Sequence, residues 1–253
     1  MSTGDLPITY VSVDDLQAAI ESYTNELHLG YRLDMIKPAD NPTEAWLSNK
    51  RGLVRLKKRL TDHKSKKGGV ARAAPRIDKT SWHPGRAGME YRDLLAHRQG
   101  GQVAVSHIRL TTGGPIPDYV HYHKIEFQMI YCLKGRIKVV YEDQGDPFWL
   151  EPGDCVVQPP EIRHRVLECI AGSEVVEVSM PAEHETWADH DLSLPTAAIR
   201  PERIFGGQPF IYKRSTSIAD LRELLSLRGL GPESDASLAA CRALESARSH
   251  NSV

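Results

Sequence analysis

Between Val103 and Met180 the chain carries eight short runs of strand character: VAVSHIRL, DYVHYH, FQMIYCLK, RIKVVYE, PFWLE, DCVVQPP, HRVLECI and EVVEVSM. Gly, Pro and Asp turns separate them, and no helical periodicity intervenes. Short strands at such even spacing cannot form a parallel sheet, which needs long crossovers; they predict an antiparallel sandwich or barrel. The fold class expected is therefore mainly β, with an antiparallel β-barrel at its centre.

The flanks read differently. Ile8–Val13 is a β-type run, Asp14-Asp15 offers a helix start for LQAAIESYTNELH, and YRLDMIKP, TEAWLSN and GLVRLKKR follow as strands, a β-α-β-β-β order. At the other end, Ser217–Asp220 is a helix start before an apolar stripe in IADLRELLSLRG, and Ala-rich SLAACRALESAR is a further peripheral helix. The expected plan is a structural or dimerising unit over 1–60, a linker over 61–85, a barrel over 86–200 and a C-terminal extension over 201–253. The chain's 32 Lys and Arg nearly balance its 33 Asp and Glu, yet 12 of the basic residues and only Asp62 and Asp78 fall between Lys50 and Lys79. This basic joint has no interleaved aromatic residues, so it predicts a solvated connector and no nucleic-acid partner. No run of ~20 apolar residues marks a membrane span. MSTGDLPITY has no charged start leading into an apolar stretch, so a cytoplasmic location is expected. Cys132, Cys155, Cys169 and Cys241 form no CxxC pair and read as reduced thiols.

One segment carries chemistry. His121 and His123 lie two apart on an expected strand, so both imidazoles leave the same face. Gln128 opens the next strand, on the face of Ile130 and Cys132, and His164 begins a later strand after Pro159-Pro160. In a small closed barrel these groups converge. Three neutral imidazoles plus an amide oxygen suit a divalent transition metal such as Fe, Mn, Co, Ni or Cu, with Zn also within range. Glu126, in the turn before Gln128, is the alternative fourth ligand.

With Gly135, Gly153 and Pro159 at their offsets, the segment resembles the two motifs of the cupin superfamily, over about 100 residues from Arg98 to His184. The first motif has an HxH pair, a Glu, and a Gly after six further residues; the second has a Gly, a Pro after five residues, and a His five beyond the Pro. Two positions depart from it: Gln128 stands where the family has a ligating Glu, and Glu161 where the second motif has a turn Gly. The N-terminal β-α-β-β-β unit resembles one module of the glyoxalase/bleomycin-resistance (vicinal oxygen chelate) superfamily, but its strands bring no ligand set, and no metal site is carried over to it.

The cupin resemblance implies a metal-dependent enzyme. The expected reading is a non-haem Fe(II) dioxygenase using O2 on a small anionic substrate, aromatic, enolic or dicarbonyl. Alternatives are a redox-neutral isomerase, decarboxylase or lyase at the same metal, or a non-catalytic sensing cupin. A Gln in place of the Glu leaves a divalent ion its full charge, which favours an anion, and a Gln cannot serve as general base. Candidate pocket groups are Glu168, on the face of His164 and Val166 as an acid/base or a rim carboxylate; Arg109, with His107, on the strand before the pair; and Tyr119, on the histidines' face. Arg163 is an anion attractor or a surface ion pair. His184 and His190 fall in a loop expected to be solvated. Cupin barrels pair through sheet edges, so a homodimer is expected.

Overall fold

In a computed structural model, residues 7–26, 30–38, 41–59, 82–95, 98–226 and 235–249 are described, and most of the basic joint lies outside them. The N-terminal unit has the expected order: β1 (Ile8–Val13), α1 (Leu16–Glu21), β2 (Arg32–Lys37), β3 (Glu44–Asn49) and β4 (Gly52–Lys58). Asp15 caps α1 by accepting from the Ala18 amide at 3.0 Å. The helix lays Leu16 and Ile20 on Ile36, Ala45, Leu47, Val54 and Leu56, the inward positions of the strands.

After the joint come β5 (His83–Pro84), β6 (Glu90–Asp93), α2 (Arg98–Gly101), β7 (Ala104–Leu110), β8 (Gly114–Pro115), β9 (His121–Lys124), β10 (Phe127–Lys134), β11 (Ile137–Tyr141), β12 (Phe148–Leu150) and β13 (Cys155–Gln158). Then follow β14 (His164–Cys169), β15 (Ser173–Met180), β16 (Glu185–Ala188), β17 (Ile204–Phe205), β18 (Gln208–Pro209), β19 (Ile211–Lys213), α3 (Ile218–Ser226) and α4 (Asp235–Ser249). Two sheets result. The first runs β1-β4-β3-β2-β16-β9-β14-β11-β12, with β8 attached to β14; the second runs β19-β13-β10-β15-β7-β6-β5. They face each other as a mainly antiparallel jelly-roll barrel, the fold class expected.

Three features refine the plan expected from the sequence. The N-terminal unit shares a sheet with the barrel, because β16 pairs on one side with β9 and on the other with β2. The C-terminal helices are structural: Leu221, Leu225 and Leu244 are fully buried against Val105, Phe127, Met129, Val157, Val176 and Val178. Strands apolar on both faces need cover on both, and α3 and α4 supply it on the side away from the barrel interior. His83–Pro84, assigned to the linker, forms β5 against β6. Gly135 (φ 64°) closes the β10–β11 hairpin where a Cβ would lie 2.4 Å from Ser173 Oγ, so the glycine is sterically required. Among the described residues no helix is long and apolar enough to cross a membrane.

Candidate metal centre

Register brings the three histidines together. His121 on β9 is the direct cross-strand partner of His164 on β14, and His123 partners Thr186 on β16. Their ring centroids lie 4.2 Å (His121–His164), 5.1 Å (His123–His164) and 5.2 Å (His121–His123) apart. One ligand nitrogen from each lies within 4.8 Å of the other two. All three side chains are buried inside the barrel.

Each ring is held by its other nitrogen. Nδ1 of His121 donates to the Tyr119 carbonyl at 2.8 Å and Nδ1 of His164 to the Ile162 carbonyl at 3.0 Å, while Nδ1 of His123 meets Thr186 Oγ1 at 2.8 Å. A carbonyl can only accept, so the first two rings carry their proton on Nδ1 and a lone pair on Nε2. His121 Nε2 is buried without a hydrogen-bond partner. Burial holds the pKa of His121 and His123 well below the usual range, helped by the Arg86 charge and the neighbouring imidazoles, and lowers that of His164 to about 4. Neutral imidazoles with second nitrogens fixed and lone pairs converging are the donor set a divalent transition metal takes, so the residues fit such an ion.

Gln128 lines the same cavity, 2% exposed, and its Oε1 accepts from Gln158 Nε2 at 3.2 Å. Gln158 Nε2 also donates to His164 Nε2 at 3.1 Å, and Gln158 Oε1 accepts from the Tyr141 hydroxyl at 3.2 Å. Glu126 is exposed in the turn, its carbonyl bonded by Gln208. Glu161 stands at φ 60°, so this residue adopts the left-handed conformation that the motif's glycine would favour.

The other candidates lie elsewhere. Glu168 does not line the cavity: a register shift of β14 against β11 between the Val166 and Glu168 pairs turns Cys169 inward and leaves Glu168 opposite Lys138. Strict alternation fails across such a bulge. Arg109 and His107 point away from the cavity, because β7 alternation turns Ser106, Ile108 and Leu110 inward. Arg109 Nε bonds Glu90 at 2.5 Å, and its guanidinium lies over Trp82. Tyr119 precedes β9; its ring sits edge-on to His121, and burial raises its pKa to about 12. Arg163 is tied to Asp189 at 3.1 Å over the Tyr122 ring, on the outer face.

The sequence reading missed several cavity groups. His184, expected in solvent, is 6% exposed with its ring 5.2 Å from that of His123, because β16 pairing draws its loop onto the site. Its near neighbour His190 is exposed, as expected, and bonds the Leu33 carbonyl. Gln158, Tyr141 and Glu177 were legible in principle, since each alternates with apolar inward residues on its strand. Arg86 comes from outside the barrel strands and gave no signal. The cavity measures about 60 Å³, and its remaining walls are mostly apolar, including Ile130, Val139, Leu150 and Val175.

Comparison with known proteins bears on the same segment. Residues 106–178 match the family model described as Cupin domain. No curated protein matches the sequence. Among solved structures, a B. subtilis oxalate decarboxylase variant is 20% identical (TM-score 0.34), over 46% of this chain and 31% of that one. The chain thus spans about a third of that protein's length. An RmlC-like cupin from Shewanella frigidimarina is 23% identical (TM-score 0.34), over 41% of this chain and 86% of that one. The stretch that matches the Cupin domain family, residues 106–178, contains all three converging histidines.

Proposed function

We propose that this chain is a metal-dependent cupin enzyme, a non-haem Fe(II) dioxygenase acting on a small anionic substrate. The observation that carries the reading is the donor set: three buried neutral imidazoles with Gln128, not a carboxylate, beside them. His121, His123 and His164 would hold the ion from one side, leaving room for ligands on the cavity side. Fe(II), when bound, supplies Lewis acidity and the capacity to activate O2. Thr186 and the Tyr119 and Ile162 carbonyls keep the three rings aimed. Gln128 adds no negative charge beside the histidines, so an anion reaching the ion meets a stronger positive field than a carboxylate at that position would leave. The apolar walls exclude water, and the small volume selects a small substrate.

Protein loaded anaerobically with Fe(II) should consume O2 when given a catechol, an enolisable dicarbonyl or a small thiol. Gln128→Glu should weaken binding of the anionic substrate about tenfold or more. No O2 uptake across the panel by iron-loaded protein would overturn the dioxygenase reading. A second reading rests on Glu177, a carboxylate on the cavity wall able to carry a proton in a redox-neutral isomerisation or decarboxylation. Turnover under nitrogen that is lost in Glu177→Gln would favour it.

A further inference from the structure

Arg86 reaches the cavity from outside the segment that matches the cupin domain. It sits at the tip of the β5–β6 hairpin, in a single 3-10 turn over 86–88. The Gly85 amide donates to the Met89 carbonyl at 2.8 Å, and Ala87 (φ 54°) and Gly88 (φ 75°) turn the chain back. Gly85 packs so tightly that a Cβ would lie 2.2 Å from the Tyr91 ring, so the tip has little freedom. The hairpin directs the Arg86 side chain, 11% exposed, into the cavity wall.

There one edge of the guanidinium is held and another is not. Nη1 pairs with Asp118, which is itself fully buried and fixed by the Tyr119 amide at one oxygen and the Val166 amide at the other. Asp118 also lies 3.7 Å from His121 Nδ1, so arginine and metal-ligand candidate share one rigid support. Nε of Arg86 is buried and has no hydrogen-bond partner. The Glu177 carboxylate of the same cavity also acts on this guanidinium through its charge, yet Nε stays unpaired. Leaving that donor unsatisfied is costly unless a ligand accepts from it.

We propose that Arg86 anchors a carboxylate of the substrate, so the substrate is a small carboxylic acid with a second donor directed at the histidines. The planar fork of arginine suits a carboxylate, with Asp118 holding it pre-aligned. This deepens the reading given under the previous heading and rests on it for the direction of the second donor. The specificity element therefore comes from a hairpin outside the metal-holding strands.

The test is calorimetric binding of acetate, lactate and benzoate, each against its neutral amide, to the full chain with and without Zn(II), with zinc content measured on the same samples. Wild type should bind at least one carboxylate more tightly than its amide. Arg86→Gln should lose that preference by about 10- to 100-fold while keeping its zinc. Arg86→Lys, which preserves the charge but not the fork, should fall between the two. Equal binding of all three acids and their amides by wild type, or an unchanged preference in Arg86→Gln, would overturn the anchor. Loss of zinc from both variants would mean Arg86 serves the fold of the site, and would also overturn it. A wild type that holds no zinc counts against the metal reading alone, because the carboxylate preference still decides the role of Arg86 in the metal-free samples.

Discussion

One sheet runs through two regions of this molecule and does different work in each. Over β1–β4 its inner face is covered by α1, whose Leu16 and Ile20 fill the space above Leu47 and Leu56. Over β16, β9, β14 and β11 the same face is covered by a second sheet, and a cavity remains between them. Ile36 and Thr186 are cross-strand partners at the junction, yet Ile36 joins the N-terminal core while Thr186 bonds His123. A helix laid on a sheet packs it solid. Two curved sheets leave an interior that polar side chains can occupy if they satisfy one another. Chemistry is thus placed by what covers the strands as much as by the strands themselves.

The largest expected effect tests whether the two regions are separable. Leu47→Ala, at a fully buried position, should destabilise the protein by about 2–5 kcal/mol in denaturant unfolding. The folded variant should still take up metal as wild type does. Metal binding lost together with stability would show that the junction at β16 makes one unit of both regions.

Next comes Thr186→Ala, which removes the group holding His123 from the strand that joins the regions. Metal affinity should fall about 10- to 100-fold, measured by chelator competition, with little change in the unfolding midpoint of the metal-free protein. An unchanged affinity would mean the ring is aimed by packing alone.

Acid should separate the regions further. The inner core of the N-terminal unit is made of apolar side chains, whereas the barrel keeps three histidines neutral. Groups that stay neutral when folded but take up protons when unfolded make stability rise with pH. For His164 the window runs from about 4, its folded value, to the ordinary 6.5. Metal-free protein should therefore lose stability as pH falls through this window, by at most about 1.4 kcal/mol per unit for each histidine. Replacing His164 with Asn should flatten the profile, and a wild-type profile already flat would contradict neutral burial.

The barrel strands and the His121, His123, His164 and Gln128 set were legible because alternation and motif spacing are local properties. So was the order of the N-terminal unit, with its Asp15 cap. What escaped depended on register or on distant chain. The β14 bulge turned Glu168 outward, and nothing in the order of residues announces a bulge. β7 fixed the direction of Arg109 only once its inward face was known. Thr186 and His184 reached the site through β16 pairing, and Arg86 through a hairpin tip that sequence spacing does not connect to the histidines. The shared sheet and the buried α3 and α4 are likewise tertiary facts, set by which apolar faces remain to be covered.

Elemental analysis of the purified chain, wild type beside His164→Ala, tests the metal centre most directly. The arrangement of His121, His123 and His164 predicts about one divalent transition metal per wild-type chain and less than about a tenth of that in the variant. Full metal content retained in folded His164→Ala would contradict it.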